Sequence, residues 1–170
     1  AAEGKNPFLY RVRGNEVHAF FTELTSEGER VFYRKRGTAM PELFHRLDAY
    51  EAGEAVFFSM QDKKERLERV RRRVENLPGL ASTLYKDNYM EDNWYLEIFS
   101  AEGGKDKGAR RLQRLVGADR LVAFGDNLND LPLFAAADVA CCVRSGQPAA
   151  RKAADLLVDG NNDDGVARYM

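Results

Sequence analysis

Cysteine is almost absent from this chain of 170 residues: there are two, Cys141 and Cys142, side by side. Adjacent cysteines rarely bridge and no third thiol exists, so a disulfide framework is excluded. A reducing, cytoplasmic setting is the default expectation. Long apolar runs are missing as well. None approaches the roughly 18–20 residues of a membrane span, so no membrane partner is expected. The first 30 residues carry no charged head followed by an apolar stretch, and no signal peptide is expected. Nor is there an excess of one charge: 26 basic residues meet 27 acidic ones, for a net charge of -1. Binding of nucleic acid through bulk charge is therefore not expected. An initiator methionine is lacking too. The chain begins Ala1-Ala2-Glu3, as a processed chain or a piece of a longer one would.

What the sequence does have is enough apolar material for a packed core, with 44% of residues hydrophobic. Its aromatics are unevenly spread. Residues 1–100 hold 15 of the 18, and residues 101–170 hold only Phe124, Phe134 and Tyr169. The second part is rich in Ala, Gly and Asp, which suits short elements joined by tight loops. A boundary is expected in Ser100-Ala101-Glu102-Gly103-Gly104, giving domains over 1–102 and 103–170. In the first part, β-branched and aromatic runs at 17–24 and 30–35 around Ser26-Glu27-Gly28 read as a hairpin. A helix is expected over 40–50, with Pro41 in its first turn and Gly53 past its end. A strand at 55–60 follows, then a helix over 62–76 opened by an Asp62/Glu65 capping box. Leu67, Val70, Val74 and Leu77 form its apolar stripe. Strands at 80–85 and 94–99 complete this part.

The second part alternates: helix 107–116, strand 120–124, helix 131–136, strand 139–143, helix 147–154, strand 156–158, and a last helix from about Asp163. Apolar strands alternating with helices predict an α/β fold with a parallel sheet covered on both faces.

The strongest chemical pattern is an apolar strand running into Gly125-Asp126-Asn127-Leu128-Asn129-Asp130. Ligands of open parallel sheets bind beyond the carboxyl ends of strands. Asp126 and Asp130 delivered there suit a hard cation such as Mg²⁺, and Gly125 permits a sharp turn. Asn127 and Asn129 add amides for a phosphate or for orienting the acids. The same residues also read as an Asp/Asn-rich turn capping the next helix, with Asp130 as N-cap. About 20 residues upstream lies Gly103-Gly104-Lys105-Asp106-Lys107-Gly108. A lysine at a helix start places a cation beside backbone N–H groups, which suits an anion. It is not a Walker A loop, because no Ser or Thr follows the Gly-Lys pair. Other candidates are weaker. Residues 63–73 read as an amphipathic helix with a solvated basic face. His18 and His45 are far apart in sequence and have no evident third ligand, so a zinc site is not expected. The cysteine pair reads as packing, and Asn162-Asp163-Asp164-Gly165 as a helix N-terminus.

At these residues the sequence resembles a known family. Residues 125–130 resemble the fourth motif of the haloacid dehalogenase superfamily. Lys107-Gly108 resembles the third motif as written in its Cof-type, IIB subfamily. Residues 94–99 resemble the last cap strand, and residues 153–158 and 164–167 the closing segment. The resemblance implies a partial Rossmann-like core, a parallel sheet with helices on both faces, plus an α/β cap domain. It implies a Mg²⁺-dependent phosphatase of small phosphorylated metabolites such as sugar phosphates. By resemblance Asp126 ligates Mg²⁺, with Asp130 as a second ligand or neighbouring acid with a catalytic role. Lys107 neutralises the phosphoryl oxygens and Asn129 contacts the phosphate. The family's nucleophile is an Asp in Asp-x-Asp-Gly-Thr, which forms an aspartyl-phosphate. No two Asp of this chain stand two residues apart. The expectation is therefore a fragment that starts inside the cap and is inactive alone. Two other readings stay open: a non-catalytic remnant that binds phosphorylated ligands or a partner, and a phosphomutase. A P-type ATPase segment is disfavoured for want of a membrane span.

Overall fold

A computed structural model of the chain describes residues 4–50, 53 and 55–170. It forms two compact units, Ala1–Ala101 and Glu102–Met170. The first opens with a hairpin, β1 (Phe8–Arg13) and β2 (Glu16–Phe21). Gly14 turns it with a φ of 61°, the left-handed conformation that favours glycine in tight hairpins. Then come α1 (Glu27–Arg36), a 3-10 turn (Pro41–Leu43), β3 (Phe44–Arg46), β4 (Phe57–Asp62), α2 (Lys64–Val74), β5 (Leu80–Lys86) and β6 (Trp94–Ser100). They build one sheet in the order β3-β2-β1-β4-β6-β5, in which only β2 and β3 pair in parallel.

The hairpin expected around Ser26 is instead the start of α1. Ser26 Oγ accepts from Glu29 N at 3.1 Å, and Glu29 Oε2 accepts from Ser26 N at 3.1 Å. This Ser-x-x-Glu capping box outweighs the β propensity of Val31, Phe32 and Tyr33. The true partner of β2 is β1, across the Gly14-Asn15 turn. The helix expected over 40–50 stops after one 3-10 turn, because Phe44, His45 and Arg46 pair with Ala19, Phe20 and Phe21. Asp62 does not cap α2. It lies 3.3 Å from Lys5 Nζ and 3.2 Å from Arg66 Nη1, and the N-cap Lys63 makes no side-chain cap. Leu67 and Val74 of the predicted stripe are buried and Val70 packs on them, but Leu77 lies beyond the helix and is 51% exposed.

Cross-strand partners share a face of the sheet. Leu9, Phe20, Phe58 and Ile98 therefore lie on one face, and Phe8, Ser59 and Glu97 on the other. α2 packs Leu67 and Val74 against Met60, Leu96 and Ile98 on the first face. α1 sets Phe32 at 5.3 Å from Phe8, and Tyr33 at 5.0 Å from Phe21, on the second. The reason is topological. β2 and β4 run parallel, and their crossovers leave toward opposite edges. Right-handed connections then place the two helices on opposite faces.

The second unit runs α3 (Lys105–Val116), β7 (Val122–Gly125), a 3-10 turn (Leu128–Asp130), α4 (Leu131–Ala136), β8 (Val139–Val143), α5 (Pro148–Ala153), β9 (Leu156–Val158), a second 3-10 turn (Asn161–Asp163) and α6 (Gly165–Tyr169). The strands form a parallel sheet in the order β7-β8-β9. Both its faces are covered, as the alternation predicted. Ala123, Phe134, Ala140, Cys142 and Ala150 pack on one side; Val139, Cys141, Val143 and Val158 pack on the other. The adjacent cysteines thus point to opposite faces, both fully buried and unbridged. Burial, reinforced by Asp126, pushes the Cys142 thiol up, which disfavours the reactive thiolate. Among the described residues no helix is long and apolar enough to cross a membrane.

Candidate functional site

The acidic loop sits at the carboxyl end of β7, as the strand pattern requires. Its geometry is set by Asp130, which is 4% exposed. Asp130 Oδ2 accepts from Asp126 N at 2.9 Å and from Asn127 N at 3.1 Å. Asn127 Oδ1 accepts from Leu128 N at 2.7 Å. The helix-capping residue is thus Asn127, reciprocated by Asp130, and Asp130 makes no side-chain cap to α4. Gly125 is required here for a steric reason. A Cβ at position 125 would lie 2.7 Å from Cβ, Cγ and Oδ2 of Asp130. The carboxylate occupies the space where any other side chain would begin.

Asp126 behaves differently. Its side chain is exposed at the strand end. Its carbonyl oxygen accepts from Gln147 N at 2.7 Å, which ties it to the start of α5. Gly146 lets that loop approach, since a Cβ there would lie 2.7 Å from Cys142 Sγ and 3.0 Å from Asp126 O. Asn129 is half-buried in the same turn. The two aspartates expected to act as a pair therefore have separate surroundings. Asp126 is exposed, whereas Asp130 is buried against two backbone N–H groups and an ammonium.

That ammonium belongs to Lys105. Its Nζ forms an ion pair with Asp130 Oδ1. Lys107, the lysine expected at the site, has its Nζ 3.3 Å from Glu102 Oε1. The helix begins two residues before the expected Lys107, directly after Gly104, whose φ is 114°. The Gly103-Gly104 pair was the available clue: it breaks the chain before Lys105, so the first helical residue faces the loop. An exposed carboxylate beside a fixed ammonium, at the mouth of a parallel sheet, can hold a hard cation and a phosphoryl anion together. Among the described residues no three His, Cys, Asp or Glu side chains cluster to hold a metal.

A family model for haloacid dehalogenase-like hydrolases matches residues 17–170, and the chain belongs to that family. Its relatives are more particular. Over 85 residues it is 31% identical to pyridoxal phosphate phosphatase YbhA of Escherichia coli, covering 47% of this chain and 31% of that protein. Over 72 residues it is 41% identical to a phosphoglycolate phosphatase of Halorubrum lacusprofundi, covering 39% of this chain and 31% of that protein. The chain thus spans about a third of the length of these relatives. Solved structures show the same α/β fold. A haloacid dehalogenase-like hydrolase from B. subtilis has a TM-score of 0.71 at 20% identity, over 97% of this chain and 64% of that one. The HAD subclass IIB sugar phosphatase BT4131 has a TM-score of 0.69 at 14% identity, over 99% of this chain and 60% of that one.

Proposed function

We propose that this chain supplies the metal- and phosphate-holding half of a Mg²⁺-dependent phosphomonoester hydrolase acting on small phosphorylated metabolites. The first unit is the cap and the second is part of the core. The observation that carries this reading is the loop itself. Buried Asp130 shapes it and holds Lys105, and Asp126 is its exposed carboxylate. The donor chemistry fits Mg²⁺. Asp126 offers a hard oxygen ligand, and Mg²⁺ is commonly held by one or two carboxylates, with water and phosphate completing its shell. Bound there, the cation would neutralise charge on the phosphoryl oxygens.

The remaining work falls to the chain's own residues. Lys105 sets a positive charge beside the same oxygens, and Asp130 fixes where that charge sits. Asn129 donates its amide to the phosphate. Charge spread over a transferring phosphoryl group is stabilised by such preorganised partners. The nucleophile of an aspartyl-phosphate mechanism has no Asp-x-Asp counterpart in the sequence, so the 170 residues alone are predicted not to turn over. The homologues' names, pyridoxal phosphate and phosphoglycolate phosphatase, support the substrate class.

The test is phosphate release from a generic phosphomonoester by the natural polypeptide that carries this chain, with and without Mg²⁺. Activity should need Mg²⁺ and disappear in Asp126→Ala. Full activity in Asp126→Ala would sink the assignment. Mg²⁺-dependent turnover by the purified 170 residues, lost in that variant, would show a nucleophile inside them. A non-catalytic phosphate binder would instead take up Mg²⁺ and phosphate in a calorimeter without hydrolysing any ester.

A further inference from the structure

His18 and His45 are 27 positions apart, and the fold brings them into contact. His18 Nδ1 lies 2.8 Å from His45 Nε2. The rings are inclined by 22°, with centroids 5.1 Å apart, so the two nitrogens meet head to head across one shared hydrogen. β2 and β3 make this possible: His45 pairs with Phe20, and His18 is the next residue of β2 on that face. Each ring is held from behind. His45 stacks on Phe20 at 4.8 Å. The outer nitrogen of His18, Nε2, lies 3.8 Å from Glu16 Oε2. That carboxylate favours the proton on Nε2 and leaves the Nδ1 lone pair facing His45, as the outer partner of a metal-bound histidine does.

We propose that His18 and His45 form a two-histidine site for a borderline divalent transition metal of the Cu²⁺ or Ni²⁺ class. This is independent of the Asp126 loop. The metal takes the place of the shared proton, which passes to solvent while Nδ1 of His45 takes one up, so both rings stay neutral and no net proton is released. Metal–nitrogen bonds of about 2.0 Å meeting at a right angle place two nitrogens about 2.8 Å apart, so tetragonal coordination keeps the present separation. The rings need only tilt to aim both lone pairs at one point beside the line joining them. A tetrahedral ion needs about 3.3 Å and hence a wider gap. Among the described residues no third His, Cys, Asp or Glu completes a cluster, so water fills the other positions and the ion is exchangeable.

Charges around the site act in both senses. Arg13 and Arg11 lie over Phe20, at 4.7 Å and 5.5 Å from its centroid. Their positive charge opposes a bound cation, while Glu16, 66% exposed, favours it. Burial, His18 and Arg13 hold His45 below the usual imidazole range. That keeps its ring in the neutral form a metal requires.

The experiment is titration of the 170-residue chain with Cu²⁺ and with Ni²⁺ by calorimetry at about pH 7.5 and about pH 5.5, in excess Mg²⁺. The expected result is one ion per chain, nitrogen splitting in the Cu²⁺ electron-spin spectrum, and weaker binding at the lower pH. Affinity should fall by at least about 10-fold in His18→Asn and in His45→Asn. A readout on the unaltered protein guards against misfolded variants. These are the chain's only two histidines, and their imidazole proton resonances should broaden together at substoichiometric Cu²⁺. Broadening that spares both, or equal affinity in both variants, overturns the proposal. Excess Mg²⁺ occupies hard carboxylates such as Asp126, so failure here leaves the hydrolase reading untouched, and failure of that reading leaves this one.

Discussion

At the scale of single residues, the acidic loop separates side chains that look alike in sequence. Asp126 and Asp130 are both acids of one motif, yet one is exposed and the other is an internal brace. Replacing Gly125 with Ala drives a methyl group into the Asp130 carboxylate. The loss expected is about 1–3 kcal/mol, the range for overpacking, and urea denaturation of the chain measures it. Unchanged stability would mean that the brace yields freely. The two lysines make a second contrast. In the natural polypeptide, Lys105→Ala should lower Mg²⁺-dependent phosphate release by about 100-fold or more, the scale of losing a preorganised charge partner. Lys107→Ala should leave it within a few-fold. The reverse order would restore Lys107 to the role its sequence context suggested.

At the scale of elements, α1 is the most informative. A run of aromatic and β-branched residues reads as strand, but just upstream the Ser26/Glu29 box commits the backbone to helix. Glu29 also anchors that helix to the chain's start. It is fully buried and its Oε1 lies 2.6 Å from Lys5 Nζ, itself 2% exposed. Lys5→Met leaves an uncompensated buried charge and should cost about 3–5 kcal/mol. Adding Glu29→Gln to it should recover part of that loss, because the buried charge is removed while an amide oxygen can still accept from Ser26 N. A double variant no more stable than the single one would show that the pair does more than balance charge. Boundaries in the second unit were easier to read. The ranges 131–136, 139–143 and 156–158 match α4, β8 and β9. Short buried parallel strands there carry no competing amphipathic pattern.

At the scale of the whole molecule, titration behaviour follows from what the sheets bury. The folded value of His45 is depressed by burial first, then by His18 and Arg13. Its contribution to stability is whole above the unfolded value of about 6.5 and is lost as pH falls through the folded value. His18, Glu16, Arg11 and Arg13 share its surroundings. The stability of His45→Gln should therefore fall less between about pH 7 and pH 5 than that of the unaltered chain. Equal slopes would assign the acid sensitivity to other groups. At the alkaline end, burial pushes Tyr95 up to about 12, aided by Asp87, and raises Tyr10 and Tyr85 further still. Those tyrosines favour the folded state below about pH 10, and that contribution fades as pH rises toward their folded values. Ultraviolet titration should show them ionising only as the first unit unfolds.

The sequence by itself determined the local chemistry and the alternation. The Gly-Asp-Asn-Leu-Asn-Asp turn at a strand end, the parallel sheet of the second unit, the buried cysteines and the haloacid dehalogenase-like family were all legible, because each depends on neighbours along the chain. What depends on register across the chain was decided only by the tertiary structure. A start two residues earlier, set by where Gly104 breaks the backbone, brings Lys105 rather than Lys107 to Asp130. The pairing of β2 with β3 joins His18 to His45, two residues that look isolated in sequence. Side-chain identity fixes what a group can do, but its partner is set by long-range pairing of backbone, which local patterns do not encode.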